Sequence, residues 1–450
     1  MKSNFNKLYS AFLFMSIFAI SVACAPAPQA TDNGSAGSDT ADNASSDSSD
    51  AQAVSLWWHT GTPEEQAAMD DAVERFNAQG GPYTIEKTDL PGGTYTDQVN
   101  AAALAGELPC VLDFDGPFLY NFAWSGYMLP IDEFVDADMK ADFLPSILDQ
   151  GTYNGKLYSL GQFDSGLGLY ANKAYLEAAG VRIPTFDEPW DLAEFDAALA
   201  SLADLDEVEF PLDLKINYGR GEWYTYGFSP ILQSFGGDLI NRADYQSASG
   251  VLDGPESVAA MTAFQNWFNN GWVDPAPAGD DSFYGAKTSA ISFVGHWMWP
   301  AHSEALGDDL VVLPMPDFGG SPVTGMGSWN YGITSNCDNP EGAWEVLKFL
   351  VSTEESLAMA NANGAVPARL SALEQSDLYN VGGPLYVYVQ QLESGRAVPR
   401  PVTAGYATIT SAFAEAVDNI IAGSDVQEEL TRIVEIIDLD IEDNQGYQTQ

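Results

Sequence analysis

From Val54 onward, short apolar runs alternate with segments of helical periodicity, and this alternation constrains the fold more than any other feature of the chain. Val54–Trp58 is an apolar run of strand length. Thr62-Pro63 follows it as a helix start, and the next apolar residues recur at helical spacing. The same spacing recurs over residues 260–268, 340–350 and 413–421. The sequence therefore predicts an α/β fold.

The N-terminus has the composition of a secretory signal peptide, predicted over residues 1–23. Lys2 and Lys7 supply its positive charge, and Ala11–Val22 is an apolar run too short to span a bilayer. Small residues follow that run, as they do at a cleavage site. We therefore expect an exported protein.

A lipid anchor is predicted at Cys24, because Ser21-Val22-Ala23-Cys24 resembles the lipobox of bacterial lipoproteins. Cleavage by an ordinary signal peptidase near Ala25 or Ala30 is the alternative. Residues 24–53 are dominated by Ser, Asp, Ala and Gly, with almost nothing to bury, which predicts a disordered tether. The expected location is extracytoplasmic, at the cell surface or in the periplasm, with the folded body held off the membrane.

Charge and residue usage exclude several classes of function. Lys and Arg total 17 against 64 Asp and Glu, a net charge of -47, which repels phosphate backbones and argues against nucleic-acid binding. Three Cys are too few for a disulfide scaffold, and three His leave little material for a metal site. The nucleotide-binding, metalloprotease and serine-hydrolase motifs are missing from the sequence. We expect no enzyme activity, no cofactor and no metal.

Aromatic residues cluster beside glycines at four places, where loops are expected. The clusters lie at residues 57–61, 222–226, 295–299 and 327–331. Burial in the core would explain any single Trp, but four clusters next to Gly together favour an aromatic-walled cleft. Flat rings beside carboxylates and amides suit sugars, which present C–H-rich faces and hydroxyl rims.

The order of several short motifs resembles the family 1 extracellular solute-binding proteins of ABC importers, the group that includes maltose-binding proteins. The similarity extends from Val54 to about Glu442, and Cys110 stands where the family usually has Asp. The motifs that carry it are Leu56–His59, Pro109–Asp115, Ala123–Pro130, Leu167–Lys173, Pro184–Asp187, Trp190–Phe195, Ser234–Asp238, Gly285–Ala290, Gly295–Trp297, Gly364–Arg369 and Arg400–Thr403.

The resemblance implies a two-lobed periplasmic-binding-protein-like fold of type II, hinged by crossing strands. Lobe 1 would hold residues 54–166 plus 333–362, and lobe 2 would hold 167–332 plus 363–450. A monomer would capture a di- or oligosaccharide in the cleft between the lobes and deliver it to a membrane permease. The crossings are expected near residues 166–170, 330–335 and 362–366.

The resemblance also implies a set of side chains. A disulfide between Cys110 and Cys337 is expected, because the two strands that carry them run side by side in this fold. The residues expected to bind the ligand are Trp58, His59, Asp115, Asp164, Ser165, Trp223, Tyr226, Trp297, Trp299, Trp329 and Arg369.

Two other functions stay open at this point. The same fold could bind a cationic solute such as a polyamine, since the protein is so acidic. A secreted glycoside hydrolase would also have an aromatic cleft, but it needs two carboxylates placed on either side of the scissile bond.

Overall fold

The computed structural model describes residues 51–448. The predicted signal peptide, Cys24 and nearly all of the predicted tether lie outside the described residues. The first strand begins at Gln52, two residues before the expected start of the body.

The described part of the chain contains fifteen strands, sixteen α-helices and six short 3-10 helices. The strands are β1 Gln52–Thr60, β2 Tyr83–Pro91, β3 Val111–Asp115, β4 Thr152–Tyr153, β5 Lys156–Leu157, β6 Ser159–Gly161, β7 Phe163–Asp164, β8 Leu167–Asn172, β9 Leu212–Asp213, β10 Ile291–Gly295, β11 Leu310–Leu313, β12 Thr324–Met326, β13 Trp329–Ile333, β14 Val366–Pro367 and β15 Ala397–Pro399. The helices are α1 Pro63–Ala78, α2 Tyr95–Ala105, α3 Leu119–Trp124, α4 Ala137–Ala141, α5 Pro145–Gln150, α6 Lys173–Ala178, α7 Leu192–Ala203, α8 Glu222–Ser234, α9 Pro255–Asn269, α10 Trp299–Leu306, α11 Pro340–Leu350, α12 Thr353–Asn363, α13 Leu370–Leu373, α14 Tyr386–Glu393, α15 Tyr406–Ile421 and α16 Val426–Asp443.

Local signals in the sequence account for two of the helix starts. The Thr62 hydroxyl accepts a hydrogen bond from the Glu65 backbone N–H, and the Glu65 carboxylate accepts one from the Thr62 backbone N–H, so a capping box opens α1. The Asn339 side chain caps α11, with Pro340 at its first position. The predicted helix starts at these two places are confirmed.

Two separate sheets define two lobes. The first sheet has the order β2-β1-β3-β13-β6, with β1 parallel to β2 and β3, and β13 antiparallel to β3 and β6. The second has the order β11-β8-β10-β9. Helices α1, α11 and α12 pack with the first sheet, and α8, α9, α15 and α16 belong to the core of the second.

The chain passes between the sheets through short paired segments. It leaves the first sheet through β7, which pairs with β14, and enters the second at β8. All five residues of β13 lie in the first sheet, whereas the expected boundary placed residues 329–332 in lobe 2. The reason is that β13 pairs with β3 along its whole length, from Trp329 opposite Asp115 to Ile333 opposite Val111.

A disulfide joins Cys110 and Cys337, the pair implied by the resemblance, with Cα atoms 4.4 Å apart. Cys110 directly precedes β3, and Cys337 follows β13 after a short turn, so the bond lies at the end of that antiparallel pair. None of the helices in the described residues is both long and apolar enough to cross a membrane.

Candidate ligand-binding cleft

A cleft of about 580 Å³ lies between the two lobes. Strand ends of the first sheet supply one side of it: His59 is near the end of β1, and Asp115 ends β3 opposite Trp329 at the start of β13. On the other side, Trp297 follows β10 and Trp223 lies in the first turn of α8. The volume of this cleft falls within the range of small-molecule binding sites.

The first-lobe wall is a stacked pair of rings. The His59 imidazole lies on the Trp329 indole with ring centroids 3.5 Å apart and planes 10° from parallel. Behind it, His59 Nδ1 lies 2.5 Å from Oδ2 of Asp113, which is fully buried. The His59 backbone N–H donates to the same oxygen at 3.2 Å. This anchoring fixes the ring orientation and leaves Nε2 on the far side from Asp113.

The protonation of His59 depends on that carboxylate. Burial by itself lowers the pKa of an imidazole, but the charge of Asp113 and its hydrogen bond outweigh burial and raise the pKa of His59 above its ordinary value. Glu65 and Asp115 add to the rise. For the Asp113 carboxyl, burial acts in the opposite sense and raises the pKa, although the charge and hydrogen bonds of His59 oppose that rise.

The second-lobe wall is an aromatic cluster. Trp297 packs edge-on to Trp223, with ring centroids 5.9 Å apart and planes at 89°, and lies 6.2 Å from the Tyr226 ring. The Trp297 indole N–H donates to the Tyr218 hydroxyl at 3.1 Å, and that of Trp223 donates to the Leu214 carbonyl at 3.1 Å. These hydrogen bonds fix both indoles.

Three charged side chains meet in the cleft. The guanidinium of Arg400 binds Asp115 through two hydrogen bonds of 2.6 and 2.7 Å, and it lies 2.5 Å from Glu222 Oε1. It also lies over the Tyr226 ring, 4.8 Å from its centroid. Burial raises the pKa of Glu222, and the positive charge of Arg400 opposes that rise.

A buried histidine, His296, links two segments that lie near the crossings between the lobes, one at Ser165 and one at Asn363. His296 Nε2 lies 2.7 Å from the Ser165 hydroxyl, and Nδ1 lies 2.9 Å from the Asn363 carbonyl oxygen. Burial lowers the pKa of His296 to about 4, so the ring is neutral at neutral pH. A neutral ring donates one hydrogen bond and accepts one, which matches these two partners.

Seven of the residues predicted to bind the ligand line the cleft together. They are His59, Asp115, Ser165, Trp223, Tyr226, Trp297 and Trp329.

Four predicted residues lie elsewhere. Trp58 is 2% exposed and faces the first core, because alternation along β1 turns it to the same side as Val54 and Leu56. Asp164 is fully buried behind Ser165, where it accepts hydrogen bonds from the Gln150 side chain and the Ser165 backbone. Trp299 opens α10 and packs against the core. Arg369 pairs with Asp142 and lies over the Phe143 ring.

The sequence-based set also missed residues that line the cleft. The main ones are Glu65, Tyr218, Glu222, Asp280, His296 and Arg400. Glu222 and His296 belong to the aromatic clusters at 222–226 and 295–299, so those clusters contained a usable signal. Arg400 stands 285 residues after its partner Asp115, and no local pattern joins the two. Within the described residues, no group of three or more potential ligands is arranged to hold a metal ion.

Comparison with known families gives a match over most of the chain. The family described as bacterial extracellular solute-binding protein matches residues 71–380. A maltotriose-binding protein of Pyrococcus abyssi is 24% identical over 361 residues, which is 76% of this chain and 72% of that protein. A lipoprotein of Streptomyces antibioticus is 23% identical over 337 residues, 72% of each chain.

Solved structures share the architecture. The GacH receptor of Streptomyces glaucescens, solved unliganded and with acarbose, matches with a TM-score of 0.75 and 20% identity, covering 88% of this chain and all of that one. An ABC transporter solute-binding protein of Thermotoga lettingae bound with α-D-tagatose matches with a TM-score of 0.74 and 22% identity, covering 86% and 99%. At these identities the similarity establishes the fold.

Proposed function

This chain belongs to the bacterial extracellular solute-binding proteins, and from that premise we propose that it captures a carbohydrate in its cleft and delivers it to the membrane permease of an ABC importer. The single observation that carries the proposal is that aromatic rings from both lobes line the same cleft. His59 stacked on Trp329 stands on one lobe, and the cluster around Trp297 stands on the other. Rings on both sides can cover both faces of a sugar.

The polar groups of the cleft suit hydroxyl ligands. Asp115 and Glu222 are neutralised in part by Arg400, so the cleft offers charged hydrogen-bonding groups without a large uncompensated charge at its centre. The relative from P. abyssi is named for a trisaccharide and the T. lettingae structure holds a monosaccharide. A di- or oligosaccharide fits a cleft of about 580 Å³ that is open to solvent.

We assign no catalytic step to the cleft. A glycoside hydrolase needs one free carboxylate and one carboxylic acid across the bond. Asp115 has both oxygens on Arg400, and Glu222 is bound by Arg400, Tyr406 and Thr410. Both carboxylates are thus engaged by other side chains of the protein, which favours binding over hydrolysis.

The proposed setting is the outer face of a cell membrane, with a monomer anchored by lipid at Cys24 and spaced by the tether of residues 24–53. The family is extracellular, and a relative is named a lipoprotein. The lobes proposed are residues 52–166 plus 329–362 and residues 167–328 plus 363–450, with the boundary moved to keep β13 whole.

A thermal-shift screen tests the function. Maltose, maltotriose and tagatose are compared with spermidine, each in large excess over the protein. A ligand present at about 100 times its Kd stabilises the folded protein by about 2.7 kcal/mol. We expect a sugar to raise the Tm and spermidine to leave it unchanged. Calorimetry at low and high salt then separates the classes, because cation binding weakens steeply with salt and sugar binding does not. Stabilisation by spermidine alone would contradict the proposal.

A further inference from the structure

An ionic contact joins the two lobes inside the cleft. Asp115 ends β3 of the first sheet, and Glu222 begins α8 of the second lobe. Arg400 lies between them and binds both carboxylates, with Nη1 shared by Asp115 Oδ2 at 2.7 Å and Glu222 Oε1 at 2.5 Å. The three residues therefore connect elements that belong to different cores.

Arg400 is held on the second-lobe side. It directly follows β15, which pairs with β12, and its guanidinium lies over Tyr226 of α8. Glu222 accepts a hydrogen bond from Thr410 Oγ1 on the same side, and another from the Tyr406 hydroxyl, whose ring packs against Phe118 in the first-lobe cluster. Within this group of three charged side chains, the ionic contact that crosses between the lobes is thus the bidentate pair of Arg400 with Asp115.

Among the other ion pairs of the described residues, only Arg369–Asp142 also joins the two lobes, and neither of its residues lines the cleft. Arg75–Glu355, Lys87–Asp70 and Lys140–Asp132 lie on the first-lobe side, and Arg182–Glu194, Arg220–Glu415 and Arg242–Asp238 lie within the second lobe. Arg400 differs from most of them in burial as well: its side chain is 5% exposed, against 41% for Arg182 and 48% for Arg220. A bidentate pair shielded in this way is little screened by salt and restricts geometry strongly.

We propose that Arg400 is a positioning residue that holds Asp115 against the second lobe and thereby stabilises the closed arrangement of the empty cleft. Opening the cleft separates the lobes and breaks the two bonds to Asp115, so their free energy favours closure. The ligand then binds to walls that already face each other. The inference uses the two-lobed architecture and does not depend on which solute is bound.

The test measures closure without any ligand. Single-molecule energy transfer is recorded in the full chain between dyes on Leu104→Cys in α2 and Leu439→Cys in α16, two residues that are 81% and 57% exposed on different lobes. Cys24→Ser removes the remaining thiol, and Cys110 and Cys337 stay in their disulfide. Asp115→Asn breaks the crossing pair but leaves Arg400 bound to Glu222. Glu194→Gln is the matched control, since it neutralises the partner of Arg182 within one lobe.

We expect the ratio of closed to open molecules to fall roughly tenfold or more in Asp115→Asn, as the loss of a hydrogen bond between charged groups implies. The Glu194→Gln ratio should match that of the parent. Arg400→Gln should also open the cleft, and it serves as the second variant if circular dichroism shows that Asp115→Asn does not fold. An unchanged ratio in a folded variant, even with a lowered Tm, would overturn the proposal and leave Arg400 with a structural role only. Closure is measured without ligand, so a negative sugar screen would contradict the proposed function without changing the measured ratio of closed to open molecules.

Discussion

His59 and Trp329 stack with their planes 10° apart, although they come from strands that are not neighbours in the first sheet. Strand β3 lies between them and supplies Asp113, whose carboxylate binds Nδ1 of the imidazole. A buried carboxylate thus sets the orientation and favours the protonated form of a ring that lines the cleft. An imidazolium on an indole adds a cation–π attraction to the stack.

We predict that ligand binding weakens as pH rises through the elevated pKa of His59. The protonated ring donates from Nε2 to the ligand while Nδ1 stays with Asp113, and deprotonation removes the Nε2 donor. Losing a hydrogen bond from a charged donor corresponds to roughly a tenfold loss of affinity. Calorimetric titration across the range from about pH 5.5 to pH 9 measures it.

His59→Gln is the control for that profile, since Gln keeps a donor but does not titrate. Its affinity should be lower than that of the parent at acidic pH and flat across the range. A profile with the same slope in the variant would assign the titration to another group.

Trp297 is predicted to be the main stacking residue for the sugar. It is partly exposed on the cleft wall, and truncating such an aromatic anchor typically costs about 2 kcal/mol or more of binding, which is at least roughly 30-fold in affinity. Trp297→Ala should keep a Tm close to that of the parent without ligand and lose most of the ligand-induced shift.

Trp267→Ala provides the matched comparison in the same lobe. Trp267 is 2% exposed in the second core, so its truncation should cost about 3 to 5 kcal/mol of stability and leave ligand affinity unchanged if the variant folds. If Trp297→Ala behaves like Trp267→Ala in both assays, Trp297 is a core residue and the assignment is wrong.

The fold class could be predicted from the sequence because the signals that start its helices are local. Thr62-Pro63 and Asn339-Pro340 start helices through contacts with residues three positions later, so the pattern alone contains the whole interaction. The fold class followed from the alternation of such helices with apolar strands.

The site was only partly predictable because its decisive contacts are distant in the chain. Trp58 and His59 are adjacent, yet alternation along β1 directs one into the core and the other towards the cleft. Strand alternation starting from the buried Val54 places Trp58 on the core side and His59 on the opposite side, so this distinction could have been predicted. No such rule connects Arg400 with Asp115, since the contact exists only after both lobes have folded.

Lipid anchoring is predicted to depend on Cys24. In a bacterial host that lipidates exported proteins, Cys24→Ser should move the protein from the membrane fraction to the soluble fraction, because the folded body contributes no spanning helix within the described residues. Fractionation with immunoblotting measures this, and Ser21→Ala, which leaves Cys24 in place, is the control. Retention of Cys24→Ser in the membrane fraction under unchanged salt would refute the lipobox assignment.

The disulfide between Cys110 and Cys337 is predicted to stabilise the first lobe. It closes a loop with a sequence separation of 227 residues, and disulfides typically contribute about 2 to 4 kcal/mol. Reductant, or the double variant Cys110→Ser with Cys337→Ser, should lower the Tm. Denatured, unreduced protein should bind at most one equivalent of a thiol reagent, at Cys24. Two or three equivalents would show that the bond is absent.

His302 is predicted to make the protein sensitive to acid. It is fully buried among the rings of Tyr170, Phe283 and Tyr284, and neither of its ring nitrogens has a hydrogen-bond partner in the described residues. Burial, helped by the charge of Lys215, lowers the pKa of His302 to about 2. The unfolded chain therefore binds a proton below pH 6.5 that the folded chain refuses, and stability falls as pH falls through this window.

At pH 5 the penalty from His302 amounts to about 2 kcal/mol, taking 1.4 kcal/mol for each pH unit below the ordinary histidine pKa. His302→Leu removes the titrating group and the two unpaired nitrogens while keeping an apolar side chain in the aromatic site. The Tm of this variant should exceed that of the parent by a wider margin at pH 5 than at pH 8. His296 is unchanged in both proteins, so its own acid penalty cancels in the comparison. Equal differences in Tm at the two pH values would show that His302 is not the group responsible.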